Sequence, residues 1–312
     1  MVKTLNLLAK TVRPRQWVKN LALYTGLVLT GQLFNSTKLV QVSLAVVYFT
    51  LLSATIYIFN DILDIKADKK HPFKKHRPIA AGELPIPVAL FFGLSGVIIS
   101  LYLMVQLGWF YFFIGLTYLI FQLGYSLWLK HVPILDVLMI ASGFILRVYA
   151  GAVVIDAHIN AWLLLCIISF SLFLAVGKRR GELTLLSGQA IAVNQSRKVL
   201  AHYSNQLLDV YCGMFANSSW LTWTLYTFVQ PPIIIERHRL INLFTALPRT
   251  FYSEKWLMLT IPLVIYGVMR YLQLVYENNQ GESPERILLS DRPLIGTIVI
   301  WVGLIIAIIY LI

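Results

Sequence analysis

Charge is what this sequence has least of. Only 13% of its 312 residues are Asp, Glu, Lys or Arg, where a soluble domain carries about 25%. Acids are the scarcest, 14 against 26 Lys and Arg. That shortage excludes a single water-soluble globule. With 58% hydrophobic residues, it also excludes a disordered chain. Alternating segments of about 10 residues, the pattern of a membrane β-barrel, are missing too. The two cysteines, Cys166 and Cys212, lie in apolar runs and make neither a metal framework nor a disulfide argument. Both read as small core residues. No HExxH spacing occurs.

What the chain does have is long apolar runs. A transmembrane helix needs about 20 mostly apolar residues. Nine runs qualify, over 17–34, 39–60, 86–107, 109–129, 134–155, 159–177, 210–230, 256–275 and 294–312. The reading is an all-α, polytopic integral membrane protein with nine transmembrane helices. It forms one domain over 1–312, with long polar connections at 61–85 and 178–209. Lys10, Arg13 and Arg15 break the first apolar stretch and no small-residue cleavage site follows, so no signal peptide is expected. Twenty of the 26 cations fall in one set of alternate connections and five in the other, with Arg147 inside a span. The positive-inside rule then puts the N-terminus in the cytoplasm and, after nine spans, the C-terminus outside. A net charge of +12 on a soluble protein would suggest nucleic acid. Here the cations sit beside apolar runs, so membrane lipids are the expected surroundings and no nucleic-acid partner is expected.

The second run ends in Asn60-Asp61-Ile62-Leu63-Asp64-Ile65-Lys66-Ala67-Asp68. On a helix, Asp61, Asp64 and Asp68 lie within about 60° of one another, and Asn60, Asp64 and Asp68 follow one stripe. Like charges this close repel unless a cation joins them. Oxygen ligands without His or Cys favour Mg²⁺ or Mn²⁺, and Mg²⁺ usually completes its shell with waters and phosphate oxygens. A solvated helix end, with Lys66 and Lys69 pairing the acids, is the plainer reading. The stretch His71-Pro72-Phe73-Lys74-Lys75-His76-Arg77-Pro78 follows, pinned as non-helical by its prolines. Lys74 and Arg77 could grip the far oxygens of a diphosphate, or serve only as a basic cytoplasmic flank. His71 and His76 read as loop residues.

The fifth run carries Asp136 and Arg147. Eleven residues place them on one face, roughly 16 Å apart, too far to pair with each other. An arginine at membrane depth costs a few kcal/mol unless it meets a partner or a wet cavity. It serves either an ion pair with another helix or an anion inside the bundle, the second being preferred. After the sixth run comes Lys178-Arg179-Arg180-Gly181-Glu182. This is a basic flank, or the second half of an anion site.

Together these residues resemble a known family. Asn60-Asp61-x-x-Asp64-x-x-x-Asp68 is similar to the first aspartate-rich motif of the UbiA prenyltransferase superfamily. Further stretches resemble its decaprenyl-phosphate phosphoribosyltransferase branch. They are Arg13-Pro-Arg-Gln-Trp-Val-Lys19-Asn20, His71-Pro-x-Lys74-x-x-Arg77-Pro-Ile-Ala-Ala-Gly82, Tyr125-Ser-x-x-Leu-Lys130, Asp136 and Gly143-Phe-x-Leu-Arg147-x-x-Ala-Gly151. The motifs span roughly residues 10–185. The resemblance implies a nine-helix intramembrane enzyme in a bacterial plasma membrane, with a central polar cavity open to the cytoplasm. It implies an Mg²⁺ cofactor held by Asn60, Asp61, Asp64 and Asp68, with the three aspartates catalytic. The donor would be phosphoribosyl diphosphate and the acceptor a polyprenyl phosphate lipid. Lys74, Arg77, Lys178 and Arg179 would surround donor phosphates, with Lys19 and Glu182 in the same substrate site. Lys130 and Arg147 would hold the acceptor phosphate or the donor 5-phosphate. Tyr125 and Asp136 would bond ribose hydroxyls or orient Lys130 and Arg147. Users of prenyl diphosphates in the superfamily carry a second aspartate-rich motif near 178–182, where this chain has one acid and three cations. That departure favours the phosphoribosyl branch over the alternative, transfer of a prenyl group to an aromatic or other acceptor. A transporter would show inverted repeats with broken helices, and none is visible. The D-G-x-x-A-R signature of CDP-alcohol phosphatidyltransferases is also missing.

Overall fold

The computed structural model describes residues 2–69, 74–188, 198–230, 255–277 and 284–311, and no strand occurs among them. The α-helices are α1 (Val2–Thr11), α2 (Tyr24–Leu29), α3 (Ser36–Leu63), α4 (Ile65–Asp68), α5 (Ile86–Leu107) and α6 (Trp109–Leu127). They continue with α7 (Leu135–Val154), α8 (Ala161–Gly188), α9 (Asn205–Val229), α10 (Ile261–Tyr276), α11 (Pro284–Ser290) and α12 (Arg292–Tyr310). Short 3-10 helices cover Pro14–Leu23, Lys74–His76, Leu129–His131, Lys198–His202 and Trp256–Thr260.

Local chemistry sets the ends. Asn35, Ser204 and Asp291 cap α3, α9 and α12, each side chain accepting from a backbone N–H three residues on. Gly108, at φ 143°, turns the chain from α5 straight into α6, a conformation that glycine adopts without steric cost. Phe91, Ile98, Phe110 and Ile120 point outward and are exposed. On helices of this length and apolarity, such residues face acyl chains rather than water.

Seven helices are long and apolar enough to cross a membrane among the described residues. Two of the nine expected runs fall outside that class. The first, 17–34, is broken: Pro14–Leu23 is 3-10 and Tyr24–Leu29 a short α-helix, with Gly31 at φ 73° just beyond. Asn20 explains part of this, because its side chain turns inward to Thr50 and Ser53 of α3. Irregular backbone at membrane depth is tolerated where it is buried in protein or lines a cavity. The seventh run forms α9, a 25-residue helix. Asn217, Ser218, Ser219 and three threonines keep it out of the apolar class. The sixth run is longer than expected. Apolarity stops at 177, but the helix does not, and α8 carries Lys178–Glu182 as helix rather than loop. Of the expected 178–209 connection, 189–197 lie outside the described residues. So do His71 and the 231–254 connection.

The helices approach closely where glycine permits. A Cβ on Gly96 of α5 would fall 2.2 Å from Thr55 Cγ2 of α3. On Gly151 of α7 it would fall 1.9 Å from the Leu23 carbonyl oxygen. Since that oxygen is backbone, Gly151→Ala must push the 3-10 segment off α7. Overpacking costs about 1–3 kcal/mol. The expected result is a lower thermal midpoint in detergent for Gly151→Ala, with Gly303→Ala, which meets nothing within 4 Å, unchanged.

Candidate functional site

Polar side chains gather at one end of the bundle, where α3 and α6 finish, α7 begins and α8 finishes, and continue inward to Arg147 in the middle of α7. The cavity of about 400 Å³ lined by Thr30, His158, Asn160, Tyr226 and Gln230 lies at the opposite end. Where a central polar cavity is expected, these side chains join one another in three groups.

The first group holds the acidic motif. The stripe is not one helix: α3 stops at Leu63, Asp64 sits at φ −91°, ψ 4°, and α4 restarts at Ile65. The carbonyl of Asp64 still accepts from the Asp68 N–H at 2.8 Å. Asp61 is buried and paired to Arg13 and, at 3.2 Å, to Arg77 Nη1. The same Arg77 Nη1 meets Asp68 Oδ2 at 2.7 Å. Asp64 is paired to Lys130 Nζ, and Asn60 Oδ1 accepts from the Ser126 hydroxyl. Lys74 opens the 3-10 turn that carries Arg77; its carbonyl accepts from the Arg77 N–H at 3.0 Å. The plainer expectation, with Lys66 and Lys69 neutralising the acids, is therefore replaced: distant cations do it. No set of three acidic, His or Cys side chains is gathered at metal-holding distance among the described residues. Each carboxylate turns to a cation instead. The donor set nonetheless fits a hard cation, because Mg²⁺ needs only one or two carboxylates with phosphate oxygens completing its shell. Asp61 and Asp68, joined through Arg77, could supply that pair.

The second group is buried. Arg179 Nε donates to Asp136 Oδ2 at 2.5 Å, Nη1 to Glu182 Oε2 at 2.6 Å and Nη2 to the Tyr125 hydroxyl at 2.9 Å. Tyr203 donates to Asp136 Oδ1 at 2.7 Å and accepts from the Ile134 N–H at 2.6 Å. Ile134 has φ 69°, strained for a β-branched residue, and the Tyr203 bond holds it there. Burial, and the carboxylate it donates to, raise the Tyr203 hydroxyl above the ordinary phenol range, so it stays a donor. Arg179 was expected beside donor phosphates, and Asp136 either to bond ribose hydroxyls or to orient Lys130 and Arg147. They are 0% exposed and spend their bonds on each other and on neighbouring helices. A buried guanidinium takes this place because its planar fork satisfies several acceptors at once.

The third group is centred on Arg147, which is 5% exposed. Its Nε donates to Asn20 Oδ1 at 2.8 Å, Nη1 to the Gly143 carbonyl at 2.6 Å and Nη2 to the Tyr118 hydroxyl at 2.7 Å. The Tyr118 ring stacks beneath it, 4.9 Å away. So Arg147 does not find the helix-to-helix ion pair among the described residues; neutral oxygens take its bonds there. It anchors the broken first segment to α7.

The arrangement offers many cations for phosphate oxygens, a set of carboxylates for a hard cation and, among the described residues, no paired nucleophile and base. A family model described as the UbiA prenyltransferase family matches residues 21–295. The chain belongs to that family. It is 33% identical over 311 residues to decaprenyl-phosphate phosphoribosyltransferase of Mycolicibacterium smegmatis, covering 97% of this chain and 92% of the relative. The enzyme of the same name from Corynebacterium glutamicum is 30% identical over 319 residues, covering 97% and 86%. The fold is similar to a UbiA homolog from Archaeoglobus fulgidus bound to DMAPP and Mg²⁺, with a TM-score of 0.71 over 98% of this chain and 99% of that one, at 16% identity.

Within this UbiA chain, several site residues escaped the sequence reading. Ser126 and Tyr203 were not singled out, and Arg13 and Asn20 appeared only as motif letters. For Arg13 a signal existed: it stands in a dense basic stretch preceding a run. For Tyr203 none did, since its partner Asp136 is 67 residues away.

Proposed function

We propose that the chain transfers 5-phosphoribose from phosphoribosyl diphosphate to a polyprenyl phosphate, with Mg²⁺, releasing diphosphate. The observation that carries this is whole-length similarity to two enzymes named decaprenyl-phosphate phosphoribosyltransferase. The second polar group supports it, because it is built around Arg179 with Lys178 beside it, where a prenyl-diphosphate user would need a second acidic motif.

Asn60, Asp61, Asp64 and Asp68 would hold Mg²⁺, which when bound supplies positive charge to a leaving diphosphate. Arg13, Arg77 and Lys130 already lie on those carboxylates and would turn to diphosphate oxygens as donor binds. Arg is suited to bidentate contact and Lys to a point charge. These fixed cations favour the charge that builds on the departing group. The acceptor phosphate is anionic at neutral pH, so no general base is required. Asp136, Arg179 and Glu182 set the position of Tyr125, whose hydroxyl sits at the edge of the site. The lipid tail leaves between helices, among side chains that already face acyl chains. We also read the polar end as cytoplasmic, in a bacterial plasma membrane, because it carries most of the cations.

The test supplies purified protein in detergent with labelled phosphoribosyl diphosphate, a polyprenyl phosphate and Mg²⁺, and counts the lipid phase. Label is expected in the lipid with metal, and to be lost with chelator or in Asp64→Asn. Label that stays aqueous, while labelled prenyl diphosphate reacts with an aromatic acceptor, would move the chain to prenyl transfer.

A further inference from the structure

One amide stands where a membrane is least able to solvate it. Asn217 is the middle residue of the 25-residue helix α9, about 18 Å from either end. Two residues on, the Ser219 carbonyl accepts from the Cys166 thiol at 3.9 Å, which sets this level against the apolar part of α8. Asn217 is nevertheless exposed. Midway along α5 and α12, the exposed side chains are Ile98, Ile99, Val299 and Ile300.

The hydroxyls around Asn217 are satisfied within α9. Ser218, Ser219, Thr222 and Thr224 each donate to the carbonyl four residues back, at 2.6 to 2.9 Å. The Asn217 amide takes no partner among the described residues. A polar group left unpaired in hydrocarbon is costly, and an amide offers both donors and an acceptor.

Its neighbours on the same face form a stripe. Val210, Met214, Leu221 and Phe228 are between 41% and 65% exposed. With Asn217 and the half-buried Thr224, they recur in steps of four and three residues. That 3.5-residue period keeps one seam turned toward a facing helix. Beside the seam, a Cβ on Gly213 would meet nothing within 4 Å, and small residues let membrane helices approach closely.

We propose that this stripe packs against the same stripe of a second copy of the chain, α9 beside α9 and parallel. Two chains inserted the same way present each residue at the same depth. Asn217 then meets Asn217, and each amide donates to the other and accepts from it. Any other helix would have to bring a matching polar group to that depth. The stripe is self-complementary, as a symmetric interface between identical subunits requires.

Energy transfer between donor- and acceptor-labelled full chains, in phosphatidylcholine vesicles, tests this as added lipid dilutes the protein. Wild type is expected to show transfer above random proximity, lost on dilution. Asn217→Leu should weaken the association by about 5- to 30-fold, the worth of one interhelical polar contact in a membrane. Its thermal midpoint should not fall, because the exposed amide gives way to an apolar side chain. Asn217→Gln should retain most of the association, and Ile98→Ala on α5 should stay within about two-fold of wild type. Wild-type protein with no transfer above random proximity overturns the pairing. So does Asn217→Leu that associates as wild type does, or equal weakening by Ile98→Ala. Should Asn217→Leu fail to fold, Gly213→Leu is read against the same outcomes. Its added side chain enters open space in one chain and separates the helices of two.

Discussion

Asp136→Asn is expected to destabilise the protein by about 3–5 kcal/mol, the cost of removing one partner of a buried ion pair. Asp136 and Arg179 are both 0% exposed. The carboxylate accepts from Arg179 Nε through one oxygen and from Tyr203 through the other. The amide keeps its one oxygen for Arg179 Nε, without the charge, and turns its NH₂ to the Tyr203 hydroxyl. Tyr203 then loses its acceptor, and Ile134 loses the strap that holds its φ of 69°. Thermal unfolding in detergent measures the effect, and the fall should be roughly 10 °C. Arg180→Gln, whose partner Asp209 is 41% exposed, should fall much less. A variant as stable as wild type would show that the Arg179 group does not hold α6, α7 and α8 together.

Asp61→Asn is expected to lower phosphoribosyl transfer by at least about 100-fold, the range seen when one fixed electrostatic contribution is removed from an active site. Its effect on structure should be local. Arg77 keeps Asp68 at 2.7 Å, but Arg13 loses its carboxylate and retains only the Tyr57 ring, 5.2 Å away. Arg13 sits at φ 51°, so the release should loosen the junction between α1 and the 3-10 segment. Limited proteolysis after Lys10 reads that loosening directly. Full activity in Asp61→Asn would remove the acidic motif from the chemistry.

The two residues differ in how legible they were. Asp61 was visible because acids are scarce and three of them stand in eight residues at the end of an apolar run. Spacing alone placed them beside the membrane, and α5 likewise begins and ends where apolarity does. What spacing could not show is who answers the charge. Arg13 lies 48 residues from Asp61 and Lys130 lies 66 from Asp64. Those pairs exist only because helices bring their ends together.

Lys178, Arg179 and Arg180 were misjudged for a different reason. Reading apolarity as the limit of the helix turned them into a loop, where all three cations would be equivalent. On a continuing helix, 100° per residue sends them to three faces. Arg179 turns inward to Asp136 and Arg180 to Asp209, while Lys178 is left half-buried. The broken first run failed for the converse reason. It is apolar enough to suggest a span, but Asn20 is drawn sideways to Arg147 and α3, and regular helix gives way.

The most direct measurement offers the purified chain, in nanodiscs with polyprenyl phosphate and Mg²⁺, both phosphoribosyl diphosphate and a prenyl diphosphate at equal concentration. The lipid product is then weighed by mass spectrometry. Phosphoribosyl transfer predicts a polyprenyl phosphate heavier by one phosphoribosyl unit, with free diphosphate appearing in equal amount. A polyprenyl phosphate left unchanged while the prenyl diphosphate is consumed would contradict it.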